Sequence, residues 1–576
     1  MIRTLGESEV GRPDIQENFH DLWEVKPTGS FDKCPSLLRA IDFYSGVGGW
    51  SLGFKMAGIE MIQSYEWWNK ANQTNALNNR HNTLEIDIRT LSLESLPENI
   101  DIVVGSPPCV EFSYSNRGGS GDISDGLKDI EKFLSVVDHL KPKCWAMENV
   151  PRVADILRRE LSKGGVLERF NHLAPEIRVV DACEWGVPQQ RKRCIAGRFD
   201  FDLFFSYRKR ANARTLGDVI SGLATSMTCD PVYGIQLSAG ELFDHVREEP
   251  LSWEEERMNR EMKLFHPIYN NMAFPDALSR PGRTVTATCT RVSRESIVIA
   301  SPEHPGKFRR LTVRERACLQ SFPINYQFFG DSHAQKLKMV GNAVPPLLTW
   351  HIAHAMRGTR QGAMPKPSEA ASVFSVPDSL PRTTPPDSKG ECYPATRRFR
   401  AAIPHLRFKS GVRFELANSF DGNRPLWRID FYFGNSKSIQ ELKLDEALQA
   451  KIKKMWNPLL PFPVQILDPL KACISQTNSS QLQSRWNRRL LESTHPYDIV
   501  DEAGKAVEKT TSWMLECQIP AKKILSDLFQ EQTDTAGLPK ILKFSDAVIA
   551  GCLVGCALNS FLVSGAFNPE TELSLP

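Results

Sequence analysis

Two side chains in this sequence stand where covalent chemistry can be done. Cys109 follows two prolines in GSPPCVEFS (105–113), at the end of the β-rich run DIVVGSPP (101–108). The prolines hold the backbone extended and present the thiol at the carboxyl edge of a sheet, where open α/β folds place their ligands. A thiolate held there is a nucleophile for an electron-poor ring carbon, and its attack needs an acid beside the ring. Glu148, at the strand end of CWAMENV (144–150), is the candidate acid. A second group can hold a nucleoside. DFYSGVGG (42–49) joins a strand to a helix, and its glycines let the backbone turn tightly against a ligand. Glu66, at the end of the next strand, can accept from both ribose hydroxyls, and Trp67 beside it can stack on an adenine. Asp87, in EIDIR, can accept from an adenine amino group. Together the three loops favour a nucleoside cofactor without a pyrophosphate.

These residues need a scaffold. LLRAIDFYS (37–45), MIQSYEW (61–67), DIVVGSPP, CWAMENV, IRVVDA (177–182) and RCIAGRF (193–199) read as six strands among helical patterns. That is the rhythm of a parallel sheet with crossover helices. In WSLGFKMAG, Trp50, Phe54 and Ala57 share a helical face and Gly58 suits the helix end. The rhythm is lost over 201–304, where one amphipathic stretch appears near 252–264. Helical patterning returns at 311–322 and 345–357. Residues 359–391 are dense in Pro, Ser and Thr and read as a linker. Residues 1–36 form an N-terminal extension without the apolar centre of a secretory signal, and 392–576 form a last unit. A chain of 576 residues is expected to hold two to four such units. Residues 547–567 are apolar over a bilayer's thickness, but their Gly, Ala and Cys content and the missing basic flank predict a buried core helix instead of a membrane span. The 13 cysteines include no CxxC pair and read as reduced thiols of a cytosolic protein, with no metal site.

The motifs together carry a resemblance. DFYSGVGG (42–49), SPPC (106–109), ENV (148–150), QQRKR (189–193), TVRERACLQSFP (312–323) and GNAVPP (341–346) stand in the order found in the DNA cytosine-5 methyltransferases. The chain resembles that family over roughly residues 37 to 358. The resemblance implies an α/β, Rossmann-like methyltransferase sheet built from 37–200 and 305–358, with S-adenosyl-L-methionine as methyl donor and double-stranded DNA as substrate. It implies that Cys109 adds to carbon 6 of a cytosine flipped out of the duplex, with Glu148 as the acid at ring nitrogen 3. Arg191 and Arg193 match two arginines of the family's QxRxR motif, Arg193 being the better placed for the cytosine carbonyl. Tyr44, Gly46, Val47, Gly49, Glu66, Trp67, Asp87, Ile88 and Pro108 fall on cofactor-pocket positions. Asn342 and Val344 lie on the last motif, which in this family folds back beside the first. Arg193 and the donor's sulfonium are expected to lower the thiol's pKa. Some positions depart from the pattern. Tyr44 stands where Phe is commonest, Val110 and Glu111 where Gln and Pro are common, and Gln190 and Lys192 where Asn and Glu are usual.

The remaining expectations concern recognition. A net charge of +3 does not announce a nucleic-acid binder, so a DNA surface must come from local clusters. RKRANAR (208–214) and SRPGRTVTATCTRVSRES (279–296) are the candidates within a target-recognition region at 201–304. The loop 114–126, rich in Gly, Ser and Asp, suits a lid over the nucleophile. The last unit is expected to be an α+β accessory domain. Its Asp430, Glu441 and Lys443 match the loose spacing of a nuclease metal site, which leaves a methyltransferase–endonuclease fusion open beside an RNA (tRNA) methyltransferase. The leading reading is a cytoplasmic bacterial modification enzyme, monomeric on DNA, with room for a cognate restriction endonuclease as a separate partner and no association with membranes.

Overall fold

Strands β1 (Arg39–Phe43), β2 (Glu60–Glu66), β3 (Asn82–Glu85), β4 (Ile102–Gly105), β5 (Cys144–Asn149), β6 (Glu176–Asp181) and β7 (Lys192–Arg198) form one sheet in the order β3-β2-β1-β4-β5-β7-β6. The computed structural model describes residues 37–564 apart from short internal stretches, the longest being 113–120, 265–270, 456–461 and 530–540. The N-terminal extension lies outside the described residues. Side chains alternate between the two faces of the sheet: Ala40, Ile102, Val104 and Ala146 enter one core, Ile41, Val103, Trp145 and Met147 the other. Both faces are covered, which is why these strands read as unbroken apolar runs.

The six expected strands are present, and two features correct the reading. β3 is a short edge strand with three of its four residues exposed, so it carries no apolar signature. β7 runs antiparallel to both β5 and β6, whereas a purely parallel sheet was expected. The β6–β7 connection, residues 182–191, is too short for the crossover that parallel neighbours require, so the chain must reverse.

Helices α1 (Gly49–Met56), α2 (Asn69–Asn79), α3 (Ser124–Leu140) and α4 (Val153–Glu160) join the first strands. In α1, Trp50, Phe54 and the adjoining Ala57 are buried as their spacing predicts, and Gly58 follows at φ 69°. After β7 come α5 (Phe201–Ser206), α6 (Leu216–Leu223), β8 (Met227–Cys229), β9 (Gln236–Ser238), α7 (Trp253–Leu264), β10 (Val298–Ala300) and β11 (Phe308–Arg310). α8 (Val313–Leu319), α9 (His333–Asn342) and α10 (Pro346–Met356) complete this half. Thr312 and Glu315 of the TVRERACLQSFP motif form a reciprocal capping box: Glu315 N–H donates to Thr312 Oγ1 at 3.1 Å, and Thr312 N–H to Glu315 Oε2 at 2.8 Å. Most of the irregular region shares the main core, since Leu216, Val219, Tyr233, Val285 and Ile299 pack in the same cluster as Val313 and Leu347, while Leu251, Phe274 and Val298 form a small cluster of their own.

Residues 359–391 keep the composition of a linker but not its freedom. Met364 and Ala370 are buried in the main core, and Phe374 sits edge-on to Tyr233 with centroids 4.9 Å apart. The segment is a strap laid across the molecule.

The last unit is α+β. β12 (Arg400–Arg407), β13 (Arg413–Asp421), β14 (Arg424–Asn435) and β15 (Ser438–Lys443) form an antiparallel sheet in sequence order. It is followed by α11 (Glu446–Met455), α12 (Asp468–Ile474), α13 (Ser479–Trp486), α14 (Pro496–Glu516), α15 (Ala521–Phe529) and α16 (Ser545–Ser564). Phe414, Leu416, Ile429 and Phe431 share one core with α14 and α16. α16 holds most of the apolar run at 547–567, and its small residues explain themselves here. A Cβ on Gly555 would stand 2.3 Å from Leu444 Cδ1, and Asn559 bonds the backbone of Ile429 and Leu444 at 2.7–2.8 Å. The helix segment 542–562 is apolar enough to cross a membrane, yet 78% of its most apolar window is buried inside the protein, as expected of a core helix.

Candidate active site

The nucleophile loop is built from the end of β4. Ser106 N–H donates to Phe43 O at 3.0 Å, and the buried Trp50 indole donates to Ser106 Oγ at 2.9 Å. Asn149, at the end of β5, donates its side-chain amide to Pro107 O at 3.0 Å and so fixes the Pro-Pro turn to the neighbouring strand. Cys109 is half-buried, Pro108 exposed, and Val110 is 77% exposed beside them. Glu111 Oε2 accepts the N–H of Gly126 in the first turn of α3 at 2.6 Å, a bond that the usual proline at this position cannot make. Most of the expected lid (114–126) lies outside the described residues; its last positions begin α3.

Glu148 is the last residue but one of β5 and is buried. On the antiparallel β7, Arg193 reaches it with Nε 2.8 Å from Oε1, and its Nη1 donates to Lys192 O at 2.7 Å. Arg191 has a different part. It is buried, and its guanidinium donates to Val285 O (3.0 Å), Gly341 O (3.1 Å) and Ala343 O (2.9 Å), leaving Nε without a partner. The structure therefore brings Cys109, Glu148 and Arg193 to one edge, with Arg191 clamping the GNAVPP segment behind them. The lowering expected from Arg193 is corrected. Burial, and then the Glu148 carboxylate, push Cys109 above an ordinary thiol, and Arg193 and Arg191 offset this only in part. The sulfur is enclosed beside a negative charge, so the two cations do not prevail.

Glu66 organises the other pocket. Its carboxylate accepts from Gly46 N at 2.8 Å and Trp68 N at 2.8 Å, which leaves lone pairs on both oxygens for further donors. Burial raises its pKa, and the amide bonds from Trp68 and Gly46 oppose that. Tyr44 and Gly46 have φ of 53°, and open space surrounds the position of a Gly46 Cβ. Trp67 is 66% exposed beside Glu66, Val47 and Ile88 are buried, and Asp87 is exposed with Oδ1 accepting Arg89 N–H at 3.0 Å. The last motif does lie beside the first: a Cβ on Gly49 would stand 2.1 Å from Val344 O, and Thr349 Oγ1 donates to Gly49 O at 2.8 Å. Asn342 is exposed at the end of α9. These residues fit a nucleoside-bearing methyl donor, with a buried acceptor for ribose, an exposed ring for adenine and a side-chain-free turn between them.

Three arrangements were not foreseen. Asn149 was noted only as part of a motif. The Tyr44 hydroxyl, absent from the commoner Phe, donates to Asp129 O at 3.2 Å, and Arg89 binds Asp129 and Asp125 of α3 at 2.7–3.0 Å. Behind the glycine loop, fully buried Asp42 accepts from Ser51 Oγ, which meets Ser64 Oγ and then His81. An unusually polar cluster inside an apolar strand–helix unit was the available signal.

The family of C-5 cytosine-specific DNA methylases matches this chain over residues 38–358, more than half its length. The chain belongs to that family. It is a DNA cytosine-5-methyltransferase, and its curated relatives are Type II enzymes. It is 32% identical over 335 residues to the Type II methyltransferase M1.HphI of Haemophilus parahaemolyticus, covering 55% of this chain and 86% of that one. It is 30% identical over 356 residues to M.AplI of Arthrospira platensis, covering 60% and 93%. Among solved structures, an Escherichia coli prophage protein described as a DNA modification methyltransferase aligns with TM-score 0.41 and 21% identity, over 56% of this chain and 99% of that one.

In this methyltransferase the basic runs expected to meet phosphate are largely engaged internally. Arg208 pairs with Glu184 at 2.7 Å, Arg210 donates to Gln361 O and Gly362 O, and Arg214 to Gly186 O and Pro231 O. Within 279–296, Arg283 pairs with Asp276 at 2.6 Å and Arg291 with Glu255 at 2.7 Å; Arg280 stays exposed. The methyltransferase's last unit places Asp430 directly opposite Lys443 and Glu441 opposite Tyr432 on neighbouring strands. Asp430, however, is held by Arg428 at 2.8 Å, and no group of three or more metal-ligating side chains occurs among the described residues.

Proposed function

We propose that this enzyme methylates carbon 5 of a cytosine flipped out of double-stranded DNA, through a covalent bond to Cys109. The observation that carries the reading is the convergence of Cys109, Glu148 and Arg193 at the carboxyl ends of β4 and β5, with the Arg193–Glu148 pair at 2.8 Å. S-adenosylmethionine, when bound between Glu66, Trp67 and Asp87, supplies an electrophilic methyl group. Cys109 Sγ adds to carbon 6 of the ring. The proton that the thiol gives up is taken by the Glu148 carboxylate and passed to ring nitrogen 3, so addition is neutral overall and leaves carbon 5 as an enamine nucleophile. Arg193 orients Glu148 and has donor capacity left for the cytosine carbonyl. After methylation the carbon 5 proton is released to solvent, the Sγ–carbon 6 bond breaks with its electron pair returning to sulfur, and the nitrogen 3 proton goes back through Glu148 to the thiolate, which regenerates Cys109. Within this reading the activity belongs to a Type II restriction–modification system, with a cognate endonuclease as partner and the bacterial cytoplasm as location; the relatives described as Type II methyltransferases support the first of these.

The test is a duplex carrying 5-fluorocytosine at the target site, offered with the methyl donor. Fluorine blocks the final proton loss, so a covalent adduct that survives denaturation is expected with the wild type and not with Cys109→Ser. A wild-type enzyme that modifies DNA and leaves no adduct refutes the covalent route, and transfer to tRNA in preference to duplex DNA refutes the substrate.

A further inference from the structure

Helix α7 is unusual in what it buries: Glu254, Glu255, Asn259 and Lys263. An amphipathic helix normally buries an apolar stripe, so these polar residues need partners on both sides, and they have them. One side faces the C-terminal domain. Glu254 pairs with Arg397 at 2.9 Å and lies 3.6 Å from Arg488 and 3.7 Å from His495. Arg257 makes a two-pronged pair with Asp501 at 2.7 Å in each prong and stacks over Tyr497 at 4.1 Å. Glu261 meets Arg407 at 3.4 Å, and Met258 packs on the domain's core. The positions 254, 257, 258 and 261 form one helical face.

The opposite side faces the recognition region. Glu255 grips Arg291 at 2.7 and 3.0 Å, and Asn259 Nδ2 donates to Arg291 O at 2.8 Å. Arg260 lies over Phe274 at 4.7 Å, and Met272 N–H donates to Lys263 O at 2.8 Å. From there the chain runs directly to the catalytic edge. Gly282 exchanges backbone bonds with Pro188 and Gln190, Val285 N–H donates to Gln189 Oε1 at 2.6 Å, and Val285 O accepts from Arg191 at 3.0 Å.

We propose that the C-terminal domain is the scaffold of the recognition region: it grips α7 and thereby sets the position of residues 272–291 against the catalytic edge, so that it governs DNA engagement and site choice without taking part in cofactor binding or chemistry. This rests on the proposed function, in particular on 201–304 reading DNA.

The experiment uses the full chain and three variants: Arg257→Glu, Asp501→Arg and the two combined. Binding of S-adenosylhomocysteine is measured by calorimetry, methyl transfer to plasmid DNA gives KM and kcat, and bisulfite sequencing gives the ratio of target to non-target methylation. Each single variant is expected to raise the KM for DNA about tenfold and to lower the target ratio, with kcat and analogue affinity within about twofold of wild type. The charge-swapped double variant is expected to recover most of both losses. Single variants with unchanged KM and site choice overturn the proposal, as do a loss confined to kcat or a double variant no better than the singles. A wild type that transfers no methyl group to DNA, while still binding the analogue, fails earlier and overturns the proposed function itself.

Discussion

Burial raises the cost of ionising Cys109, and the two nearby arginines return only part of it. The thiolate fraction therefore keeps growing above the pH at which an ordinary thiol is half-ionised, about 8.5. If Cys109 is the nucleophile, kcat/KM rises by about tenfold per pH unit on the acid side of that range, and a flat profile excludes thiolate formation as a limiting event. Removing the acid with Glu148→Gln is expected to cost about a hundredfold or more in kcat, with little change in cofactor affinity. Asp42 poses a separate question, because it is fully buried behind the glycine loop. Burial lifts its pKa to about 8, against the Ser51 hydrogen bond. The folded chain thus keeps a proton that the unfolded chain releases near pH 3.8, so this group erodes stability as pH rises from 3.8 to about 8. Denaturant titrations across that window should show wild type losing up to about 1.4 kcal/mol per pH unit relative to Asp42→Asn. Identical slopes for the two proteins would mean that Asp42 is ionised when buried.

Among the elements, the union of α1 with the segment entering α10 is the most demanding. The backbone oxygen of Val344 occupies the space of a Gly49 side chain, and a carbonyl cannot swing aside as a rotamer can. Gly49→Ala is expected to cost about 1–3 kcal/mol of stability and to weaken cofactor binding, since the same loop carries Gly46. A variant with unchanged melting temperature and cofactor affinity would show that the two segments separate freely. This contact also shows what sequence can and cannot reveal. The glycines and GNAVPP were legible because their types and order are specific, but their distance follows only from the fold. The strands were legible as apolar runs. Their directions were not, because apolarity is the same read either way, and only the ten-residue reach from Asp181 to Lys192 betrays β7. The arginines of 208–214 were less legible for a related reason: a cation written in sequence does not show what faces it, and here carbonyls and Glu184 engage Arg208, Arg210 and Arg214 while Arg208 and Arg210 stay exposed.

The whole molecule is fastened at a buried ionic cluster that no single segment announces. Glu248 comes from the recognition region, Arg310 and His333 from the catalytic half, and Asp387 from the strap. Arg310 bonds Glu248 at 3.1 Å and Asp387 at 3.0 Å, while His333 lies 3.4 Å from Glu248 and 3.6 Å from Asp387. Composition made residues 359–391 a free linker, because Pro, Ser and Thr dominate; the few anchoring residues, Met364, Phe374 and Asp387, are too sparse to form a pattern. Burial alone would lower the pKa of His333, but the Asp387 and Glu248 carboxylates facing it hold it above the ordinary value of 6.5. A raised histidine stabilises the fold fully below 6.5, and that contribution fades as pH climbs through the raised value. His333→Gln is therefore expected to destabilise the protein by about 1–2 kcal/mol on the acid side and by less at alkaline pH. Urea midpoints on both sides of the transition measure this, and limited proteolysis should show cleavage within 359–391 first in the variant at acid pH. A cost that is the same at both pH values would mean that His333 merely fills space, and that Arg310 alone provides the strap's Asp387 with its ionic partner.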